Sequence, residues 1–471
     1  MKQRTRGWTF LSALAISLPA SATGPASRDT ASLLHLKEAL AISVQHYPSI
    51  KARAAAQDAA TQDLHAARTE FLPQVIVQDQ YLFSSTNNVQ GTTFSNGGTT
   101  LSVTGGVRDQ NIYQGVWTSY ATLLVDWKIF TFGRVKANVQ VAGTALEKSR
   151  AELENEIFQQ QVKVADAYLL LIAMQQFVTT QQQNLERAET FRSAILANTM
   201  NGLRPGADSS LANAEVAKAR LSLLQAMQEE RSQRVRLAQL MGVQEHQWQI
   251  DTAHLSNTIP DVGAHPPVVD TLRSPLLRYY RSLVTQQQSK ATATRLNLYP
   301  SLSLLSAGWA RGSGIDNVSG HLNSNVWEGI RPRAVNYMFG LAFRWNILSV
   351  PQIKRQYEGE LKRLAATRFL LDEATLKTGA QLENAKLRLE TALEQVKQAP
   401  LQYNAAMQAY LQSQARYRSG LSTLPELYQA LYTLNRAAAD QLTAYNNVWR
   451  AVLMEAAAAG DLSIFTQQLP Y

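Results

Sequence analysis

The chain has 471 residues and no cysteine, which excludes disulfides, thiolate metal sites, cysteine nucleophiles and an N-terminal cysteine that could accept lipid. Hydrophobic residues make up 45% and charged residues 17%, enough to bury large surfaces, yet a mean hydropathy of -0.21 is too polar for a bundle of membrane helices. The formal net charge of +9 raises the question of nucleic acid, but Lys and Arg are scattered and no basic run carries interleaved aromatics, so no nucleic-acid partner is expected.

Lys2, Arg4 and Arg6 precede an apolar run from Trp8 to Leu18, and Ala20-Ser21-Ala22 places small residues at a cleavage site. Residues 1–22 therefore read as a signal peptide cut after Ala22, because the run is shorter than the about 20 residues of a membrane span. No stretch of 18 apolar residues follows, so the mature chain is expected to be exported without a membrane helix. Residues 23–243 read as one structural repeat. A helix is expected from Leu34 to Glu70, and Phe71-Leu72-Pro73 then opens a β-hairpin over 74–128. Its second strand sets Trp117, Ala121, Leu123, Val125 and Trp127 on one face; its first is weaker because Asp79 spoils the alternation. Between them, Ser84 to Val116 is a loop rich in Ser, Thr, Gly and Asn.

The 75 positions from Trp127 to Gly202 read as one long helix. Ile157, Val164, Leu171, Val178 and Leu185 recur every seven residues, the seam of a coiled coil rather than the face of a globular helix. At 1.5 Å per residue such a rod reaches on the order of 110 Å. Gly202 suits the left-handed end of a helix, and a second helix is expected from Asp208, a good N-cap, to about Met241. The result is an antiparallel hairpin with its tip near 202–208. A linker over 244–269, containing Pro260, Pro266 and Pro267, follows.

From 270 to 465 the pattern is written a second time. Trp127 recurs as Trp345, Gly202-Leu203 as Gly420-Leu421 and Asp208 as Glu426, all at an offset of 218. Pro73 recurs as Pro300 at an offset of 227, so nine extra residues fall in the intervening loop. This copy holds a helix from Pro275 to Leu298, a β-hairpin over 301–346 and a seam of Leu382, Leu389, Val396, Tyr403, Tyr410 and Tyr417. Its tip lies near 420–426, with a final helix from Pro425 to Ala459; Pro400 is expected to kink the seam. Tyr337, Phe339, Leu341, Phe343 and Trp345 alternate with small or polar residues, the pattern of a membrane barrel strand or, taken strand by strand, of a soluble sheet with aromatic packing. The strand from Leu302 is weaker because of Gly308, and Gly312 to Arg333 is a second polar loop. Four strands cannot close a barrel, and an open edge in lipid leaves backbone groups unpaired. The chain must share its barrel with copies of itself; two would give eight strands with an interior filled by side chains, three would give twelve and leave a lumen, and three are expected.

With both copies laid out, the chain resembles the TolC family of outer-membrane efflux and secretion channels. The likeness is carried by Leu36-Lys37-Glu38-Ala39-Leu40, Tyr47-Pro48, Phe71-Leu72-Pro73, Val125-Asp126-Trp127, Ala165-Asp166-Ala167-Tyr168-Leu169 and Tyr417-Arg418-Ser419-Gly420-Leu421. It spans roughly Leu33 to Phe465. The resemblance implies a mainly α fold with a membrane β-barrel portion: a homotrimer whose strands form a twelve-stranded barrel in outer-membrane lipid above a periplasmic α-helical tunnel. It also implies a periplasmic adaptor and an inner-membrane pump of RND or ABC type as partners. The function so implied is the outer-membrane duct of a tripartite efflux pump. One-step, type I protein secretion is the alternative, and a periplasmic coiled-coil scaffold a further one. A diffusion porin would lack the heptads.

No enzyme signature is present. The seven histidines show no H-E-x-x-H spacing, no Gly-Lys pair exists for a phosphate loop, and no lysine completes S-x-x-K, so neither cofactor nor metal is expected. His46 and His321 read as surface residues. The candidate control point is the tip. In the resembled family, acidic side chains at the start of the last long helix form a ring at the constriction. Glu426 stands at the first such position and Gln429, one turn later, where a second acid is common. Three copies of Glu426 would favour cations in a narrow throat; alternatively Glu426 only complements the helix dipole. Asp208 reads as an N-cap before a gate residue. Gly202 and Gly420 turn the tips, and Arg204 and Arg418 would pair with carboxylates or meet the adaptor. Tyr417, with Tyr403 and Tyr410, packs the seam or lines a sliding contact.

Overall fold

The computed structural model describes residues 33–85, 110–202, 205–244, 248–250, 258–260, 273–316 and 318–469. The signal peptide at 1–22, Arg204, most of the first polar loop and most of the 244–269 linker lie outside the described residues.

In chain order the elements are β1 (Leu33–Leu34), α1 (Leu36–His46), α2 (Pro48–Arg68), β2 (Gln74–Ser84), β3 (Val116–Phe130), α3 (Arg134–Met200) and α4 (Gly206–Met241). There follow β4 (Gln249–Ile250), α5 (Pro275–Leu296), β5 (Ser301–Ser313), α6 (Val326–Ile330), β6 (Ala334–Arg344), α7 (Val350–Arg418), α8 (Leu424–Ala459) and α9 (Ser463–Thr466). The starts of β3 and β6, and both ends of α4 and α8, are 218 residues apart. The starts of α2 and α5, and of β2 and β5, are 227 apart.

Local chemistry places the ends. Pro48 and Pro275 each open a helix where a missing N–H costs nothing. The single helix expected from Leu34 to Glu70 is in fact two, because Pro48 cannot donate and Tyr47 is extended at φ -66, ψ 124. The long helix expected from Trp127 starts later, at Arg134, since β3 continues to Phe130 and the turn uses left-handed Phe132 and Gly133. Pro400 sits inside α7, which runs unbroken from Val350 to Arg418.

The seams are dry. Val164, Leu171, Leu185, Leu382, Leu389, Val396, Tyr410 and Tyr417 are buried, and Ile157, Val178 and Tyr403 are half-buried. α3 packs on α4 and α7 on α8, while α5 bridges α3 and α7 in the half nearer the sheet. At 67 and 69 residues, α3 and α7 are rods of about 100 Å. One window of α3 is apolar enough to cross a membrane by length and composition. Its Val164–Ile172 stretch instead lies in the largest core, with α1, the ends of α4 and α8, and Phe465 of α9. That core is tied by Tyr168 Oη donating to Leu34 O (2.8 Å), Trp449 Nε1 to Thr258 O (2.9 Å), and Arg450 gripping Asp166 at 2.7 and 3.3 Å.

The sheet has the order β2-β3-β5-β6, every pair antiparallel, so β2 and β6 are open edges. Both weaker candidate strands are full members of it. The register gathers Val77, Phe83, Leu123, Tyr337, Phe339 and Phe343 on one face, where Tyr337 is 79% and Phe339 74% exposed. The other face carries Gln78, Gln80, Thr122, Asp126, Ser303 and Arg344 among scattered apolar residues. A sheet that shows water an aromatic face this large is a membrane surface or a binding surface. At its base, Trp127 Nε1 donates to Phe71 O (3.0 Å) and Trp345 Nε1 to Leu298 O (3.1 Å), the same bond in each copy.

Candidate functional site: the hairpin tips

Each tip is built by a glycine. Gly202 and Gly420 take φ of 73° and 72°, which a side chain disfavours, and nothing lies within 4 Å of a Cβ built on either, so conformation rather than space selects them. At the second tip the cap is complete: Leu421 N donates to Arg416 O (2.8 Å) and Gly420 N to Tyr417 O (3.1 Å). Arg416 also reaches Leu421 O at 3.4 Å.

The helices after the tips begin alike. Pro205 precedes α4 and Thr423 precedes α8, which puts Asp208 and Glu426 each at the third helical position. Asp208 is therefore not the N-cap expected; Pro205 holds that place, because its extended backbone and the Gly206 that follows let the helix start two residues sooner. Both acids still face the positive end of a helix dipole, worth about 0.3–1 kcal/mol. Glu426 and Gln429 are exposed, and Glu426 has no hydrogen bond or ion pair among the described residues.

Behind this rim lies a small core. Tyr410, Tyr417, Leu424, Leu427 and Tyr428 pack with Ile195 of α3 and Ala212 of α4, so the two tips are joined. The Tyr428 hydroxyl is buried and takes no partner among the described residues. Burial first, then the nearby Glu215, Tyr417 and Asp208, push its pKa up to about 12. Burial likewise raises Tyr410, with Arg187 and Arg418 opposing. Thus Asp208 is near enough for its charge to raise Tyr428, and Arg418 near enough to oppose the rise at Tyr410, but Arg418 forms no ion pair among the described residues.

Two grooves flank the junction. One, of about 520 Å3, runs between α3 and α7 and is lined by Glu186, Arg187, Phe191, Tyr417 and Arg418. The other, of about 650 Å3, lies between α4 and α8 and is lined by Glu215, Lys218, Tyr428, Gln429 and Tyr432. Across the α3–α8 contact, Asn435 donates to Asn184 Oδ1 and accepts from Arg187 Nη2 at 3.2 Å. Arg187 Nε is buried without a partner. Sequence reasoning missed this polar clasp; the only signal was a run of polar residues beside the seam. Among the described residues no three His, Asp or Glu side chains cluster as metal ligands. A wall of helix dipoles, amides and exposed charges binds and releases weakly.

The family model described as outer membrane efflux protein matches residues 40–243 and 271–460. The solved outer-membrane channel OprN superposes with a TM-score of 0.74 over 90% of this chain and 89% of that chain, at 17% identity. A membrane protein from Pseudomonas aeruginosa gives 0.74 over 90% of each chain at 14% identity. The CmeC outer membrane channel of Campylobacter jejuni gives 0.74 over 90% and 85% at 14% identity. At these identities the likeness is one of fold. No curated protein matches the chain by sequence.

Proposed function

The chain belongs to the outer membrane efflux protein family, an outer-membrane channel and not an enzyme, and from that premise we propose that three copies form the passive exit duct of a tripartite efflux pump. The observation that carries this reading is the sheet: two open edges and one apolar, exposed face, set on rods of about 100 Å. Three such sheets close a twelve-stranded barrel with its apolar face in lipid and its polar face around a lumen. The helical hairpins then enclose a periplasmic tunnel, and a pump of RND or ABC type, joined by a periplasmic adaptor, supplies the energy and the small-molecule cargo. Residues 1–22 act as the export signal, and 23–243 and 270–465 are the two structural repeats joined at 244–269.

The tips are the gate. Glu426 from each copy lines the constriction with Gln429 behind it, while Arg204 and Arg418 meet the adaptor or neighbouring carboxylates. Passing solute needs no chemistry here, only a throat whose walls attract weakly enough to release. The test is reconstitution of the purified protein in planar bilayers, with its mass measured in the same detergent. A trimer that conducts supports the duct; a stable monomer without conductance removes it. Cysteine pairs that lock adjacent tips, introduced into this cysteine-free chain, should block export while leaving membrane insertion intact. Continued export through verified locks would refute opening at the tip.

A further inference from the structure

Among the described residues the polar face of the sheet holds one ion pair, and its partners occupy equivalent places in the two repeats. Arg344 Nη1 lies 2.9 Å from Asp126 Oδ2, and the offset of 218 that carries Trp127 onto Trp345 carries Asp126 onto Arg344. The guanidinium spans from β6 to β3, across β5. Asp126 is mostly covered, and its other oxygen, Oδ1, is buried without a hydrogen-bond partner. A buried carboxylate oxygen left unpaired is costly, which makes the one ion pair that Asp126 does form the stronger anchor of this face.

The repeat also says which strand lies where the chain stops. The β3–β5 junction joins the end of one repeat's hairpin to the start of the next. Its equivalent at the open edge joins β6 of one copy to β2 of another, a closure that rests on the trimer proposed above. Within the chain Asp126 faces Leu305, Leu124 faces Ala307 and Leu123 faces Gly308. Moving the first member on by 218 and the second back by 227 sets Arg344 opposite Gln78, Ala342 opposite Gln80 and Leu341 opposite Tyr81 of the next copy. The offsets were fixed by Trp127 and Pro73, not by side-chain polarity, yet they bring polar face to polar face and apolar to apolar. A slip of one residue would mix them.

We infer that β6 of each copy pairs antiparallel with β2 of the next with Arg344 opposite Gln78, and that this register closes Asp126 and Arg344 into a ring of six alternating charges on the duct wall. Counted along the ladder, each Arg344 then stands two strands and four residues from Asp126 of the next copy, as it does from its own. The ring is electrically neutral, fixes the seam against a two-residue slip and lies at the barrel's base, above the tunnel.

Cysteine pairs read the register directly. Facing residues on the two faces of an antiparallel ladder differ in spacing, so one polar-face pair, Ala342→Cys with Gln80→Cys, and one apolar-face pair, Leu341→Cys with Tyr81→Cys, are both made. At least one should oxidise into ladders of two and three chains. The slipped pairs Ala342→Cys with Gln78→Cys and Ala342→Cys with Leu82→Cys sit about 7–8 Å apart and should link about ten-fold less. Asp126→Cys with Arg344→Cys, joined by a reagent of about 10 Å, two strand spacings, should link chains as well as close within one. A trimer by mass in which the slipped pairs dominate, or in which 126 and 344 join only within a chain, overturns the ring and leaves the duct standing. A monomer removes both.

Discussion

α4 and α8 are both 36 residues long and start and stop 218 residues apart, yet α8 buries sixteen residues and α4 seven. Helix propensity does not explain this. α8 lies against both α7 and α3, whereas α4 meets α3 along its length and α1 only at its end. Its outer flank shows Leu221, Leu224, Met227 and Val235 to solvent. Two copies of one design differ because, among the described residues, α8 packs along a second long helix and α4 has no equivalent second packing along its length. In the proposed trimer, α7 of the next copy takes that place and covers the stripe.

The largest expected break in this comparison is at equivalent positions 449 and 231. Trp449 is 2% exposed, hydrogen-bonded and packed edge-on against Phe465, while Arg231 is exposed. Trp449→Ala should cost about 3–5 kcal/mol and Arg231→Ala less than about 0.5, read from denaturant unfolding of the helical signal. Equal costs would show that the two helices are not the inner and outer members described.

Leu224→Glu should leave the helical content of a single chain unchanged but shift the detergent-purified protein from trimer towards monomer by light scattering. The charge would be buried only where a second copy arrives. An intact trimer at equal stability would put the missing partner elsewhere. At the next level, Arg450→Ala removes the clasp on Asp166, about one quarter exposed, and should cost about 1–2 kcal/mol. The equivalent Ser232→Ala should be near neutral by the same unfolding measurement.

Glu455 sharpens the comparison by pH. Burial raises its carboxyl pKa, against a smaller opposing pull from Lys386, and the equivalent residue of α4 is the buried Leu237. A raised acid binds its proton more tightly in the folded state, so its contribution is present below the unfolded pKa and lost as pH rises through the folded one. Glu455→Gln should therefore raise the unfolding midpoint at neutral pH and give no gain near pH 4. A gain of equal size at both would rule out titration as the cause. The smallest effect is at the rim: Glu426→Gln should lower the channel's cation preference by a few millivolts of reversal potential, with Asp208→Asn changing it less. Equal or absent shifts would leave Glu426 as a helix-start residue only.

The seams were legible because a heptad needs nothing beyond the spacing of apolar residues, and the tip glycines because left-handed backbone selects them. Strand alternation at Tyr337–Phe343 was legible for the same local reason. The Tyr47-Pro48 break was readable from Pro48 but was overridden by the helical pattern around it. The later start of α3 turns on Phe132 in a conformation that no propensity favours. Asp208 misled because an N-cap residue type was read without the Pro205-Gly206 entry that starts the helix earlier. The clasp of Asn184, Arg187 and Asn435, and the pair of Asp126 with Arg344, join residues some 220 to 250 apart; only the packing brings them together.

By itself the sequence determined most of the elements and their doubling, since period and turn chemistry are local properties of the chain. Tertiary structure alone decided which flank of each hairpin is covered, which charges meet across β5 and which acids reach the buried tyrosines at the tip. Those depend on distances of a few ångströms between segments far apart in sequence, and burial, not composition, sets the strength of each contact.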